Sequence, residues 1–275
     1  MTTTTTGLSP SRDPYARITE LDDATVTALA ERFDIRAADP RQHQLWQDFL
    51  TRAPQVAGAR VLEVGCGTGI ITTKIADLPG VAEAAGVDPS SGFIARARHR
   101  APNLQFQVAD GRALPFDDAT FDGVVFATTL CHVPEPELAL AEAHRVLRPG
   151  GYLLIYDGDY ATTTVALGAH DPLQACAAAA VAALVHDPFL VRRLTGLAGA
   201  AGFDPGDLRS HGYMDISPPA YLPSMINVGI DALTAAGTLC AATAEALKAE
   251  TRHRAETHRF FGHISYASLL TRPTG

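Results

Sequence analysis

The stretch that decides the fold covers residues 61–69 and reads Val-Leu-Glu-Val-Gly-Cys-Gly-Thr-Gly. An apolar strand segment carrying an acid, Glu63, leads into a turn with glycine at alternate positions, namely Gly65, Gly67 and Gly69. Glycine accepts positive φ and lets a ligand approach the backbone closely. The segment therefore predicts a ligand-binding loop between a strand and a helix.

The glycine spacing distinguishes this loop from two phosphate-binding loops. Dinucleotide-binding folds carry a third glycine three residues after the second, where this chain has Ile70. A P-loop needs Gly-Lys followed by Ser or Thr, which is absent here. The loop and its acid favour an uncharged nucleoside with a zwitterionic tail over a pyrophosphate, so a nicotinamide dehydrogenase is disfavoured.

Around this loop, strand and helix patterns alternate. Strands are predicted at 60–64, 84–88, 104–109, 121–127 and 151–157, with a tight turn at 148–151, and helices at 69–78, 91–101 and 136–147. Such alternation is typical of a doubly wound, parallel α/β sheet.

The flanking regions are predicted to be mostly helical. Helices are expected at 18–34, 40–52, 162–183, 188–201 and 218–260, the last broken near Gly237, and strands at 208–216 and 263–271. The two late strands fit an antiparallel edge on the parallel sheet. We expect residues 1–52 to form a disordered, threonine-rich tail and a helical cap. Residues 53–275 would form the main domain, with helical lid segments near 160–186 and 217–260.

Composition narrows the class of partner. The chain of 275 residues is 47% hydrophobic with a net charge of −8, which disfavours nucleic acid as partner. The four cysteines form no CxxC pair, so a reduced, cytoplasmic setting is expected. The N-terminus lacks the pattern of a signal peptide, and no apolar stretch is long enough to span a membrane. Homo-oligomerisation is left open.

Acids follow three successive strands. Asp88 lies 25 residues after Glu63, and Asp110 follows the next strand. Each acid alone is also typical of a helix cap. Ligands of open α/β sheets bind at the carboxyl ends of the strands, so three acids in register with a glycine turn indicate a nucleoside site.

At this point the chain resembles the class I S-adenosylmethionine-dependent methyltransferases, of the bacterial small-molecule type. The resemblance covers about residues 58–158 and rests on five segments, which are 61–69, 86–88, 109–111, 114–122 and 147–151. It implies a Rossmann-like, mostly parallel seven-stranded sheet with an antiparallel last strand. It also implies S-adenosylmethionine as cofactor and S-adenosylhomocysteine as product.

The resemblance assigns roles to individual residues. Glu63 would orient the methionine amino group through the loop, Asp88 would accept from the ribose hydroxyls, and Asp110 from the adenine amino group. The complete set implied to bind the cofactor around the loop and strand ends is Glu63, Gly65, Cys66, Gly67, Gly69, Asp88, Pro89, Asp110, Gly111, Arg112 and Thr128. In the cap, Tyr15, Arg36 and Arg41 are candidates for closing over the cofactor, and we expect Arg41 to pair with the methionine carboxylate.

Catalytic candidates follow the fourth and fifth strands. His132 is the best candidate for a general base, because imidazole titrates near working pH, although a packing role is the alternative. Asp157, Asp159 and Tyr160 come next; the two acids, at i and i+2, would hold a substrate or cap a helix. His253, His258 and His263 share no helical face, and no metal site is predicted.

We therefore expect a methyltransferase acting on a small molecule. A secondary metabolite fits the apolar lid, and the scarcity of lysine, present only at Lys74 and Lys248, indicates a GC-rich bacterial source. One alternative keeps the cofactor without transfer and catalyses a cyclisation or rearrangement. Another is a regulatory module with a vestigial pocket. A nucleic-acid methyltransferase is disfavoured because no Asn/Asp-Pro-Pro-aromatic stretch follows the fourth strand.

Overall fold

The computed structural model describes residues 13–216 and 221–274. Within these ranges seven strands form one sheet. The strands are β1 (Ala59–Val64), β2 (Val81–Asp88), β3 (Gln105–Val108), β4 (Phe121–Ala127), β5 (Leu147–Thr164), β6 (Asp207–Asp215) and β7 (Gly262–Thr271). Their order across the sheet is β3-β2-β1-β4-β5-β7-β6.

The first five strands run parallel. In β1, Glu63 pairs with Gly86 of β2 on one side and with Val125 of β4 on the other. The chain order therefore reverses between β1 and β4, and a crevice opens at the carboxyl ends of strands at such a switch point. This edge of the sheet holds the glycine loop.

The last strand confirms the predicted antiparallel edge. β7 runs antiparallel to both of its neighbours, and Tyr266 pairs with Gly158 of β5 and with His211 of β6. The fold is thus the predicted doubly wound, mostly parallel seven-stranded sheet with an antiparallel last strand.

Helices cover the sheet among the described residues. They are α1 (Asp23–Ala37), α2 (Pro40–Leu50), α3 (Ile70–Ala76), α4 (Ser91–Arg100), α5 (Pro136–Val146), α6 (Pro172–Leu184), α7 (Leu194–Ala200), α8 (Tyr221–Ala235) and α9 (Ala241–Glu256). Short 3₁₀ helices occupy Tyr15–Glu20, Leu130–His132 and Leu190–Arg193. Side chains cap several of them; Asp39, for example, accepts from two backbone N–H groups ahead of the predicted first-turn Pro40.

The predicted helix 18–34 is divided in the structure into the 3₁₀ helix Tyr15–Glu20 and α1 (Asp23–Ala37). Two predicted boundaries around β5 are also wrong. The predicted helix 162–183 begins only at Pro172, because β5 continues to Thr164 and pairs there with His263 of β7. At its other end β5 already starts at Leu147, which pairs with Phe121, so the predicted turn at 148–151 lies within the strand. The predicted tail falls on residues 1–12, outside the described residues.

The late helices pack closely through small residues. At Gly229 of α8, a Cβ atom would lie 1.8 Å from the carbonyl oxygen of Cys176 in α6. The start of α8 is held by Asp215, whose carboxylate accepts from the Leu222 N–H at 2.8 Å. These contacts fix the first turn of α8 beside the carboxyl edge of the sheet. Within the described ranges, no helix has the length and apolar character needed to cross a bilayer.

Candidate active site

A cleft lies at the carboxyl ends of the strands, with about 1280 Å³ of space free of protein atoms, part of which is open solvent at its mouth. One group of lining residues comes from the ends of β1 to β4, and a second from the cap and α8. We name the second group the cover segments, residues 15–36 and 221–225. They meet where Arg32 of α1 donates to the carbonyl oxygen of Ser224 at 3.4 Å.

The glycine loop forms one wall of the cleft. Gly65 and Gly67 line it with φ values of 73° and 51°. A Cβ atom at Gly65 would lie 2.2 Å from the Thr129 side chain, so this position of the loop has no room for a side chain. The Gly67 N–H donates to the Asp88 carboxylate at 2.9 Å, which ties the loop to the end of β2.

Asp88 is buried beside the loop and also lines the cleft. Its second carboxylate oxygen accepts from the Ser90 N–H at 2.9 Å. Burial raises the pKa of Asp88 to about 6, although the two backbone N–H donors act in the opposite direction. A carboxylate offers about four acceptor positions, so two remain for hydroxyl donors of a ligand.

Asp110 and Arg112 line the cleft together with Gly111. The Arg112 guanidinium donates to both Asp110 oxygens, with the shortest distance 2.7 Å from Nη2 to Oδ2, and also reaches Glu135 at 3.1 Å. The hydrogen bonds from Arg112 hold the pKa of Asp110 below its usual value. This pair fixes Asp110 as an ionised acceptor at the end of β3.

Thr128 follows β4 in a strained conformation, with a φ of 53° that few non-glycine residues adopt. Its hydroxyl accepts from Arg36 Nη1 at 2.9 Å and donates to the Ala127 carbonyl at 2.7 Å. The strand end is therefore linked to α1 of the cap.

Arg36 is buried at the back of this contact and lines the cleft. Its guanidinium carbon lies 5.4–5.5 Å from the ring centroids of three aromatic residues, Trp46, Tyr221 and Tyr266. Nε donates to Gln42, whereas the enclosed Nη2 has no hydrogen-bond partner among the described residues. A buried donor without a partner carries a desolvation cost, which a hydrogen-bond acceptor placed beside it would relieve.

Arg41, the predicted partner of the methionine carboxylate, lies away from the cleft in this structure. Its side chain is exposed on α2 and is not among the described residues that line the cleft. Arg41 follows the cap residue Asp39, which accepts its backbone N–H, and the helix turns the side chain outward. Among the described cap residues, Arg32 and Arg36 are arginines that line the cleft.

Three other predicted cofactor residues lie under the loop rather than on the cleft surface. Glu63 is fully enclosed and accepts from the Thr72 hydroxyl, and burial raises its pKa to about 8. Cys66 packs against Gly86, and Gly69 packs against Phe106 as the cap of α3. These residues shape the loop from below, whereas Gly65, Gly67, Asp88, Pro89, Asp110, Gly111, Arg112 and Thr128 line the cleft.

His132 also lines the cleft, at the end of the 3₁₀ turn after β4. Its Nδ1 lies 2.7 Å from the carboxylate of Asp13, which is 1% exposed, and its ring centroid lies 4.7 Å from that of Tyr15. The histidine is therefore held by the N-terminal segment of the chain.

Asp157 and Asp159 do not reach the cleft. Asp157 is fully buried and accepts from the backbone N–H groups of Cys131 and Gly158, at 3.1 and 2.9 Å. Asp159 forms an ion pair with Arg192 at 2.9 Å. These contacts assign the two acids to holding the turn after β4 and the segment after α6. Tyr160 does line the cleft.

Sequence reasoning missed Asp13. It stands before a proline in a segment without a motif, and its partner His132 is 119 residues away. No sequence pattern in the N-terminal residues indicated a contact with the end of β4.

Comparison with known proteins finds a methyltransferase domain in part of the chain. Residues 62–155 match the protein family described as a methyltransferase domain. A demethylmenaquinone methyltransferase from Renibacterium salmoninarum is 38% identical over 122 residues, which is 44% of this chain and 51% of that protein. The chain thus spans about half the length of the curated relatives it matches.

Two solved structures show the same fold. The crystal structure of the [4+2]-cyclase SpnF has a TM-score of 0.53 at 24% identity and covers 85% of this chain and 82% of its own. A Haemonchus contortus phosphoethanolamine N-methyltransferase 2, in complex with S-adenosylhomocysteine, has a TM-score of 0.58 at 18% identity, covering 97% of this chain and 61% of its own.

The sheet order and the glycine loop agree with this match to a methyltransferase domain, and S-adenosylmethionine is the cofactor that the resemblance of the sequence implies. The residues present fit that cofactor. Asp88 keeps acceptor positions for hydroxyl groups, the loop leaves backbone exposed beside it, and Arg36 Nη2 has no partner.

Proposed function

We propose that this chain transfers the methyl group of S-adenosylmethionine to a small-molecule acceptor bound in the same cleft. The observation that carries the proposal is the meeting, in one cleft, of the glycine loop and Asp88 with aromatic residues of the cover segments and His132. A nucleoside site alone would not need an apolar extension that holds a histidine.

Asp88 is proposed to accept from the two ribose hydroxyls, and Gly65 and Gly67 to pass along the methionine part. Asp110, Gly111 and Arg112 border the adenine. Because Arg112 already occupies much of the Asp110 carboxylate, the adenine amino group would share that acceptor. Glu63 would act on the methionine amino group only through the loop above it.

Arg36 takes the place that we had expected for Arg41. Its Nη2 is enclosed and without a partner, and Nη1 is fixed by Thr128 at the end of β4. With Nε on Gln42 and Nη1 on Thr128, Nη2 remains to donate a charge-assisted hydrogen bond to a carboxylate. We propose that the methionine carboxylate binds here.

When bound, the cofactor supplies a methyl group on a positively charged sulfur, activated for direct displacement. The residues of the chain then have to exclude water and align the acceptor with that carbon. Tyr15 and Phe33 of the first cover segment and Tyr221 and Met225 of the second line the cleft for this purpose.

The acceptor is proposed to be a planar, largely apolar metabolite. A curated relative acts, by its name, on demethylmenaquinone, and the aromatic cover segments offer faces on which a ring can stack. A role in natural-product biosynthesis and a cytoplasmic setting remain part of this proposal, supported by the apolar lining and by four cysteines that are all free.

Calorimetry tests the cofactor proposal directly. We expect S-adenosylmethionine and S-adenosylhomocysteine to bind the unmodified chain and to bind Asp88→Ala at least 10-fold more weakly, as loss of hydrogen bonds to a carboxylate predicts. Asp117→Ala, at an exposed position away from the cleft, is the matched control. Absence of binding to the unmodified chain would refute the proposal.

A labelled methyl donor tests transfer itself. Label that appears in a small-molecule product supports methyl transfer. Turnover without label would instead support the cyclisation alternative, for which SpnF provides a precedent of fold only.

A further inference from the structure

The carboxylate of Asp13 organises three groups around the cleft. One oxygen accepts from the Tyr15 N–H at 2.8 Å. The other lies 2.7 Å from His132 Nδ1 and accepts from the His186 N–H at 2.9 Å. The carboxyl side chain is fully enclosed, whereas the His132 side chain is 18% exposed. Because this carboxylate is buried and accepts from several donors, it is a fixed part of the folded structure rather than half of a surface ion pair.

This contact determines which nitrogen of His132 is basic. A carboxylate oxygen only accepts hydrogen bonds, so Nδ1 carries the proton and donates it to Asp13. In the neutral imidazole the lone pair then resides on Nε2. Nε2 has no hydrogen-bond partner among the described residues, and His132 lines the cleft.

We infer that Asp13 is a positioning residue that makes His132 Nε2 a base, and that the acceptor is therefore a phenol or enol whose hydroxyl proton His132 removes. This inference rests on the proposed methyl transfer. It assigns a role to the N-terminal segment and a chemical class to the acceptor.

The charges around His132 agree with a base. Burial lowers its pKa, but the charge and hydrogen bond of Asp13 outweigh burial and bring the pKa above its usual value. Asp157 adds to the upward shift, and Arg36 opposes it. Tyr15 contributes a ring face to the imidazole. The net result is a stronger base that is still shielded from bulk water.

A base at this position is useful only for an acceptor that must lose a proton, and this requirement indicates the class of acceptor. A neutral amine has a free electron pair and needs no base before it attacks, whereas a hydroxyl must lose its proton. In the step, the hydroxyl proton passes to Nε2, the electron pair of the acceptor forms the bond to the methyl carbon, and the carbon–sulfur pair stays on sulfur. Phenols and enols are acidic enough for an imidazole to assist, and their conjugation permits attack through oxygen or ring carbon.

The two members of the pair come from distant parts of the chain. Asp13 directly precedes the 3₁₀ helix Tyr15–Glu20 of the first cover segment, while His132 follows β4. The base is thus complete only when the N-terminal segment lies over the cleft.

Nitrogen-detected NMR of the histidine rings tests the positioning role without a known acceptor. His132→Gln identifies the His132 signals. We expect the neutral ring to be the Nδ1–H tautomer, and Asp13→Asn to lower its pKa by about 1–2 units. Asp13→Glu, which keeps the carboxylate, should restore part of the shift. Asp23→Asn at the exposed start of α1 is the control and should leave it unchanged.

An unchanged pKa in Asp13→Asn, or an Nε2–H tautomer in the unmodified protein, overturns the positioning role. If Asp13→Asn does not fold, the tautomer of His132 in the unmodified protein is sufficient to test the positioning role. S-adenosylhomocysteine binding, measured on the same samples, reports separately on the proposed function.

The acceptor class is tested with a matched pair of probes. Methyl-labelled S-adenosylmethionine is incubated with 1-naphthol or with 1-naphthylamine, which share a ring and differ in the nucleophile. We expect label in the naphthol alone, and at least a 100-fold loss in Asp13→Asn, the size typical of losing general-base assistance. Label in the amine, or in neither probe, overturns the assignment of a phenolic acceptor.

Discussion

The guanidinium of Arg36 and the hydroxyl of Thr128 are 2.9 Å apart, and this hydrogen bond joins the cap to the end of β4 at the cleft. It holds a cation against a residue with strained backbone, next to the glycine loop. Nη2 of the same guanidinium has no partner among the described residues, and the proposed carboxylate site rests on this atom.

Substitution of Arg36 and of Arg41 tests which of these two cap arginines contributes to cofactor binding. We expect Arg36→Gln to weaken S-adenosylhomocysteine binding about 10–100-fold, the range for a lost hydrogen bond to a charged group. Arg41→Gln, on the exposed face of α2, should leave affinity unchanged. Titration calorimetry measures both, and equal effects of the two variants would refute the assignment.

The loop predicts a strict requirement for glycine at position 65. Gly65→Ala would force a Cβ to within 2.2 Å of Thr129 at a φ of 73°. We expect a loss of about 1–3 kcal/mol in the free energy of unfolding and of most cofactor affinity. Gly168→Ala, with open space around it, is the control. Chemical denaturation measures the free energy of unfolding of both variants, and calorimetry measures their cofactor affinity; equal values for the two variants would contradict the requirement for glycine.

Glu63 predicts a pH-dependent stability. Its pKa is raised by burial from 4.5 to about 8, so the native state favours the protonated carboxyl. This contribution to stability is complete below pH 4.5 and is lost as pH rises toward 8, at about 1.4 kcal/mol per pH unit at most.

Glu63→Gln removes that titration and keeps an acceptor for the Thr72 hydroxyl. Urea unfolding of the unmodified protein should therefore show a steeper decline between pH 5 and pH 8 than unfolding of the variant. Parallel pH profiles would contradict the buried, protonated state of Glu63.

The crossing of α6 and α8 predicts a further sensitive position. Gly229→Ala would place a Cβ 1.8 Å from the Cys176 carbonyl oxygen, so the helices would have to separate. We expect a loss of about 1–3 kcal/mol, as for other overpacked sites. Gly196→Ala in α7, which has open space, should be neutral or slightly stabilising. Thermal unfolding compares the two.

The part of the fold with regular alternation was predictable from sequence. Strand β4 was predicted with its observed bounds, because its apolar run lies between clear turn signals. The end of β5 was not, since the threonine run at 162–164 carries no apolar alternation, and the strand pairing of Thr164 is with the distant His263 of β7.

Some residues of the candidate site were likewise predictable from sequence, and others were not. Gly65, Asp88 and Asp110 belong to short contiguous motifs at strand ends, so local sequence reveals them. Arg36 was named only beside Tyr15 and Arg41 as a cap candidate, because local sequence does not show which of the two arginines faces the cleft. Asp13 carries no local signal, because only the folded chain brings it to His132.

Residues 15–36 and 221–225 cover the cleft, whereas the glycine loop and the acids at the strand ends lie beneath them. Substitutions at Tyr15, Tyr221 and Met225 can therefore change the shape offered to an acceptor while the sheet and the glycine loop keep their sequence. Over evolutionary time, new substrate preferences in proteins of this architecture should accumulate at such covering positions while the glycine loop stays constant.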